Sequence, residues 1–130
     1  MRIIWFALIM SIGFYFVLTL FAHRSEDVEP NSMLSMILLI IAVSTTLLSF
    51  LIKSKLLTKA IDQAQAQQVQ QAYVVAWAVT EAGALLGVLD YFMTTDRYYY
   101  VPFLIALCGQ LLHFPRSEHV FNASFKRTAF

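Results

Sequence analysis

Residues 3–22, IIWFALIMSIGFYFVLTLFA, hold twenty consecutive positions without a charge, preceded by Arg2 and followed by the polar stretch at 23–27. At ~1.5 Å of rise per residue, a helix of this length covers ~30 Å, the thickness of a bilayer's hydrocarbon core. Hydrocarbon offers no partner to a bare N–H or C=O, so a run that crosses it must satisfy its own backbone as a helix. A cleavable leader would have a shorter apolar core closing on a small-residue site. This run closes on Leu20, Phe21 and Ala22, which favours retention as a membrane helix.

Outward from this segment the pattern repeats. Pro30, Asn31 and Ser32 make a turn and helix-cap signal before a second charge-free run at 33–52, which ends at Lys53 and Lys55. Residues 53–71 are polar and rich in Gln and Ala without Gly or Pro, so the flanking helices are expected to extend into this link and reverse within 58–66. The third run, 72–93, contains Glu81 and is closed by Thr94, Thr95, Asp96 and Arg97. A fourth, 98–114, opens with three tyrosines of interfacial-belt type and has Pro102 near its first turn, where a missing N–H costs little. A polar tail occupies 115–130.

Composition agrees. With 59% hydrophobic and 13% charged residues in a chain of 130, the apolar excess is too large for a single water-soluble core and must face lipid. One domain is all this length accommodates. A net charge of +1, with Lys and Arg at the ends of apolar runs, points to membrane orientation and away from a nucleic-acid partner. If all four runs cross, Arg2, Lys53, Lys55, Lys59, Arg116, Lys126 and Arg127 fall on one side and only Arg24 and Arg97 on the other. The positive-inside rule then places both termini and the Gln-rich link in the cytoplasm, with the acidic first loop (Glu26, Asp27, Glu29) outside. Cys108, the sole cysteine, excludes an intrachain disulfide and reads as a small buried hydrophobe.

Glu81 sits near the middle of its run, where an isolated carboxylate costs several kcal/mol or more, so the side chain should be neutral or paired and turned into the bundle. Ser11 on the first run and Ser44, Thr45 and Thr46 on the second lie at matching depth and are the expected hydrogen-bond partners. Two roles suit such a group: a structural interhelical hydrogen bond, or a proton or ion site. Gly83 and Gly87, with Ala76 and Thr80, form a small-residue stripe turned away from Glu81 and suited to close helix packing. Asp90 falls on the helical face opposite Glu81 and is expected to be solvated at the outer interface. Gln110 and His113 are expected to be interfacial and too shallow to meet Glu81. Phe121 and Phe125, beside Lys126 and Arg127, suit a surface-lying tail helix or a disordered tail.

No two of His23, His113 and His119 share a helix face with a carboxylate at metal-ligand spacing. The chain also lacks a Ser-His-Asp order, a phosphate-cradling glycine loop and paired catalytic carboxylates. No cofactor and no enzymatic activity are therefore expected.

The segment Ala78-Val79-Thr80-Glu81-Ala82-Gly83-Ala84-Leu85-Leu86-Gly87 resembles the carboxylate-bearing helix of rotary ATPase proteolipid (c-type) subunits. That resemblance implies an ion-binding role for Glu81. The first helix of that family's hairpin carries a run of glycines, and residues 33–52 contain none. Over more of its length the chain is similar to a class of small four-helix bacterial membrane proteins, through Trp77, Glu81, Gly87 and the terminal Pro115-Arg116-Ser117-Glu118. The combined expectation is an all-α, four-helix integral protein of a bacterial inner membrane. Its surroundings would be the lipid bilayer and other membrane protein subunits, and its role that of a non-enzymatic accessory or structural subunit.

Overall fold

The structure, a computed structural model, describes residues 1–23 and 29–128, with side chains in the last helix described to residue 124. Expectations for Arg24, Glu26 and Asp27, and for the side chains of Phe125, Lys126 and Arg127, lie outside the described residues. Within them the fold is all-α, with five helices: α1 (Arg2–Phe21), α2 (Ser32–Asp62), α3 (Ala66–Thr94), α4 (Val101–Leu112) and α5 (Ser117–Thr128). The first three are long and apolar enough to cross a membrane.

The sequence places the ends of these helices. Asn31 caps α2 by accepting a hydrogen bond from the Leu34 N–H at 3.0 Å, which satisfies one of the free donors of the first turn. α2 and α3 run beyond the apolar stretches, and the reversal occupies only Gln63, Ala64 and Gln65, with Ala64 left-handed at φ 52°. α4 covers 12 residues, shorter than the expected run at 98–114, because Tyr98–Tyr100 are spent on a turn and Pro115 forbids continuation.

α3 is the central element. Of its most apolar window, 44% is buried inside the bundle, against 22% for α2 and 11% for α1. α4 runs antiparallel to it, with Phe103 against Gly87, Ala106 clustered with Ala84, and Thr80 against Gly109. The Tyr99 ring meets Tyr91 at one end, and the Arg116 N–H donates to the Tyr73 hydroxyl at the other. Tyr91 and Tyr73 are eighteen residues apart on α3. The chain from 99 to 116 therefore runs alongside ~27 Å of that helix, a distance close to the hydrocarbon thickness, although α4 proper is short.

Little hydrophobic force drives apolar helices together in lipid, so close packing and polar contacts must hold the bundle. α1 shows this most clearly. It buries only Ile12 and Thr19 and is pinned at three heights. The Trp5 indole donates to the Gln110 carbonyl at 2.8 Å, Ser11 and Tyr15 reach Glu81, and the Tyr91 hydroxyl donates to the Ala22 carbonyl at 2.7 Å. α5 folds back across one end, seating Ala123 in a cluster with Leu57, Ala60, Val69, Tyr73 and Trp77. That end gathers Arg2, Lys53 and Arg116, and the opposite end joins Asn31 to Thr94 through a backbone hydrogen bond of 3.0 Å.

Candidate functional site

Glu81 projects from the middle of α3 toward α1 and is partly buried. Its Oε1 accepts hydrogen bonds from Ser11 Oγ at 2.5 Å and from Tyr15 OH at 3.1 Å. Ser11 and Tyr15 are four apart and so share one face of α1. The Ser11 pairing was expected. Tyr15 was missed, although its spacing from Ser11 would have found it.

Ser44 and Thr45 do not reach Glu81, which corrects the expectation for α2. Ser44 is exposed and donates back to the Ile40 carbonyl at 2.8 Å, and Thr45 donates to the carbonyls of Ile41 and Ala42. Thr46 is buried but bonds its own helix at Ala42, 2.9 Å away. The cause is the choice of face on α3. Gly83 faces α2, where an added Cβ would lie 3.6–3.7 Å from Ala42, Thr45 and Thr46, and Glu81, two residues earlier, is turned about 200° from it. The glycine stripe thus serves packing within the bundle, with Gly83 facing α2 and Gly87 facing Phe103 of α4.

Asp90 is also corrected. It is 1% exposed, accepting from Ser35 Oγ at 2.8 Å and from Thr94 Oγ1 at 2.6 Å. It does lie opposite Glu81, but that face of α3 is covered by α2, whose Ser35 meets it, while the exposed side of α3 runs through Leu85, Leu89 and Phe92. Cys108, expected to be buried, is exposed on the outer face of α4.

A second polar cluster lies where α2, α3 and α4 meet. Thr80 Oγ1 donates to Ser49 Oγ at 3.1 Å, Ser49 Oγ is 2.7 Å from His113 Nε2, and the Trp77 indole donates to the His113 carbonyl at 3.0 Å. Ser49 also reaches the Thr46 carbonyl at 2.6 Å. With the Ser49 hydrogen placed there, Nε2 carries the imidazole proton and Nδ1 remains an acceptor. His113 and Gln110 are both fully buried, not interfacial as expected. The α3–α4 register puts Gln110 beside Gly109, level with Thr80 and Glu81. Both polar atoms of the Gln110 side chain, and His113 Nδ1, lack a hydrogen-bond partner in the protein. These three polar atoms lie within one turn on the inward face at the end of α4, where each left bare costs several kcal/mol in an apolar medium and water is the natural partner.

The site therefore consists of one mid-bundle carboxyl held by two hydroxyls, a neighbouring hydroxyl–imidazole relay, and an amide with unused hydrogen-bonding capacity at the same height. Among the described residues no three His, Cys, Asp or Glu side chains come together as a metal site. No family model, curated relative or solved structure matches the chain, so its function rests on this geometry.

Proposed function

We propose that this chain is a small non-enzymatic integral membrane protein that works as an accessory or structural subunit of a membrane complex, crossing a bacterial inner membrane four times with both ends in the cytoplasm. The observation that carries this reading is how the polar side chains at depth are used. Ser11, Tyr15 and Glu81, Ser35, Asp90 and Thr94, and Thr80, Ser49 and His113 each join one helix to another and do not converge on an open cleft. Helix-to-helix ties of this kind suit a scaffold. The apolar outer faces of α1 and α2, including exposed Phe6, Met10, Phe14, Met36 and Ile40, are free to contact lipid or further membrane helices. The seven-to-two division of basic residues supports the orientation.

Purification from the native membrane in mild detergent tests the subunit role. A stoichiometric membrane partner is the expected result, and a lone monomer at physiological expression would overturn it.

A second reading, a proton or ion site at Glu81, draws on the buried Gln110 amide, which follows Gly109 packed against Thr80 and whose polar atoms lack a partner in the protein. Glu81→Gln separates the two. Its amide oxygen can still accept from Ser11 and Tyr15, so the scaffold should fold and assemble unchanged, whereas proton flux in reconstituted vesicles would vanish if Glu81 carried it.

A further inference from the structure

The end of the bundle that gathers the basic residues holds a groove of about 650 Å³ between the start of α1 and the first turns of α5. Its walls include the guanidinium-bearing Arg2 and Arg116 and, beside them, Pro115, Val120 and Phe121. Among the described lining residues Glu118 is the single carboxylate. Both arginines are placed by the fold. The Arg2 guanidinium carbon lies 6.0 Å from the Phe114 ring centroid, and the backbone of Arg116 is fixed by the buried Tyr73 hydroxyl at 3.2 Å. The positive field of this end is felt nearby: burial first, and then the Lys53 and Arg116 charges, hold the His119 imidazole below its ordinary range.

The groove's depth identifies its ligand. Arg2 immediately precedes the first apolar run and Pro115 closes the fourth, so the groove opens at the boundary between hydrocarbon and water. Phe121, 61% exposed, and Val120 line its apolar side. Two planar forks suited to phosphate oxygens, set above an apolar wall, match an amphiphile with a phosphate head. A free phosphate ion would leave that wall unused. We propose that the groove binds an anionic phospholipid, with Arg2 and Arg116 clamping the headgroup phosphate and Val120 and Phe121 covering the first carbons of an acyl chain. Basic pockets at the cytoplasmic ends of membrane helices are suited to such headgroups.

Native mass spectrometry and thermal unfolding of the detergent-purified chain test this, with phosphatidylglycerol, phosphatidylcholine of the same acyl chains, and inorganic phosphate as the three probes. Phosphatidylglycerol should form retained adducts and raise the unfolding temperature where the other two do not. Arg2→Gln with Arg116→Gln should weaken its retention about tenfold or more, and Glu81→Gln should leave it unchanged. If the double variant fails to fold, Arg2→Lys and Arg116→Lys singly should each reduce retention, because the charge survives but the fork does not. Equal retention of the two lipids, reproduction of the shift by inorganic phosphate alone, or undiminished retention in the arginine variants would overturn the proposal.

Discussion

The two carboxyls of α3 show how burial and partners decide what an acidic residue does inside an apolar helical bundle. Asp90 divides its two oxygens between the Ser35 hydroxyl of α2 and the Thr94 hydroxyl of its own helix. Thr94 also donates to the Asp90 backbone carbonyl, so removing the carboxyl strands Ser35 in a dry site. Asp90→Ala should therefore lower unfolding stability in detergent by about 2–3 kcal/mol, with Asp90→Asn losing less than half of that because an acceptor oxygen remains. Chemical unfolding followed by Trp77 fluorescence would measure both, and an unchanged midpoint for Asp90→Ala would show that the hydroxyls find other partners. The depth of Glu81 and its pairing with Ser11 were legible in the sequence, because counting residues fixes height along a helix. Rotation was not. Helices that are apolar on every side give no periodic stripe to mark the inward face. Ser44, Thr45 and Thr46 are spaced 100° apart, so one of three consecutive hydroxyls had to point inward, and only packing could select Thr46.

At the scale of the helix, the glycines separate into those that permit close approach and those that do not. A Cβ on Gly109 would lie 2.7 Å from Thr46 Cγ2 and 3.0 Å from Thr80 Cγ2, and one on Gly87 would lie 2.7 Å from the Phe103 ring. A Cβ on Gly83 would lie 3.6 Å from its nearest neighbours, an ordinary contact. Gly109→Ala and Gly87→Ala should each cost about 1–3 kcal/mol by forcing α4 outward, while Gly83→Ala should change stability little. Thermal unfolding of the three variants would check this order, and a cost at Gly83 equal to that at Gly109 would contradict the packing described. The small-residue stripe on α3 could be read from sequence, whereas Gly109 could not, because a lone glycine carries no spacing signal. The long helices were legible from apolar length alone. α4 was overextended because three tyrosines read equally well as the start of a helix and as the turn they form.

For the whole molecule, the docking of α5 against the bundle has a pH signature. The Tyr73 hydroxyl meets His119 Nδ1 at 2.6 Å, and burial, with the Lys53 and Arg116 charges opposing and Glu118 partly favouring the proton, lowers this imidazole from its ordinary value of 6.5. As pH falls below that value the unfolded chain takes up the proton before the folded one does, so stability declines from there downward. Unfolding temperature recorded from about pH 8 to about pH 5 should fall on the acid side, and His119→Gln should flatten that limb. A variant with the same slope as the parent would assign the effect elsewhere. α5 was one of two readings open to the tail, since only contact with Tyr73 and the Leu57–Ala60 face, supplied by the rest of the bundle, orders it.

The attachment of α1 also bears on the order of biosynthesis. Synthesis makes this helix before its partners, yet the groups that pin it, Glu81, Tyr91 and the Gln110 carbonyl, are 66 to 105 positions further along the chain. Until α3 and α4 emerge, α1 lacks these ties, its Ser11 hydroxyl able to lean on its own backbone and its Tyr15 hydroxyl unable to do so. Packing of α1 is thus completed by the late segments, and a chain truncated before Gln110 would leave that helix moored at fewer points.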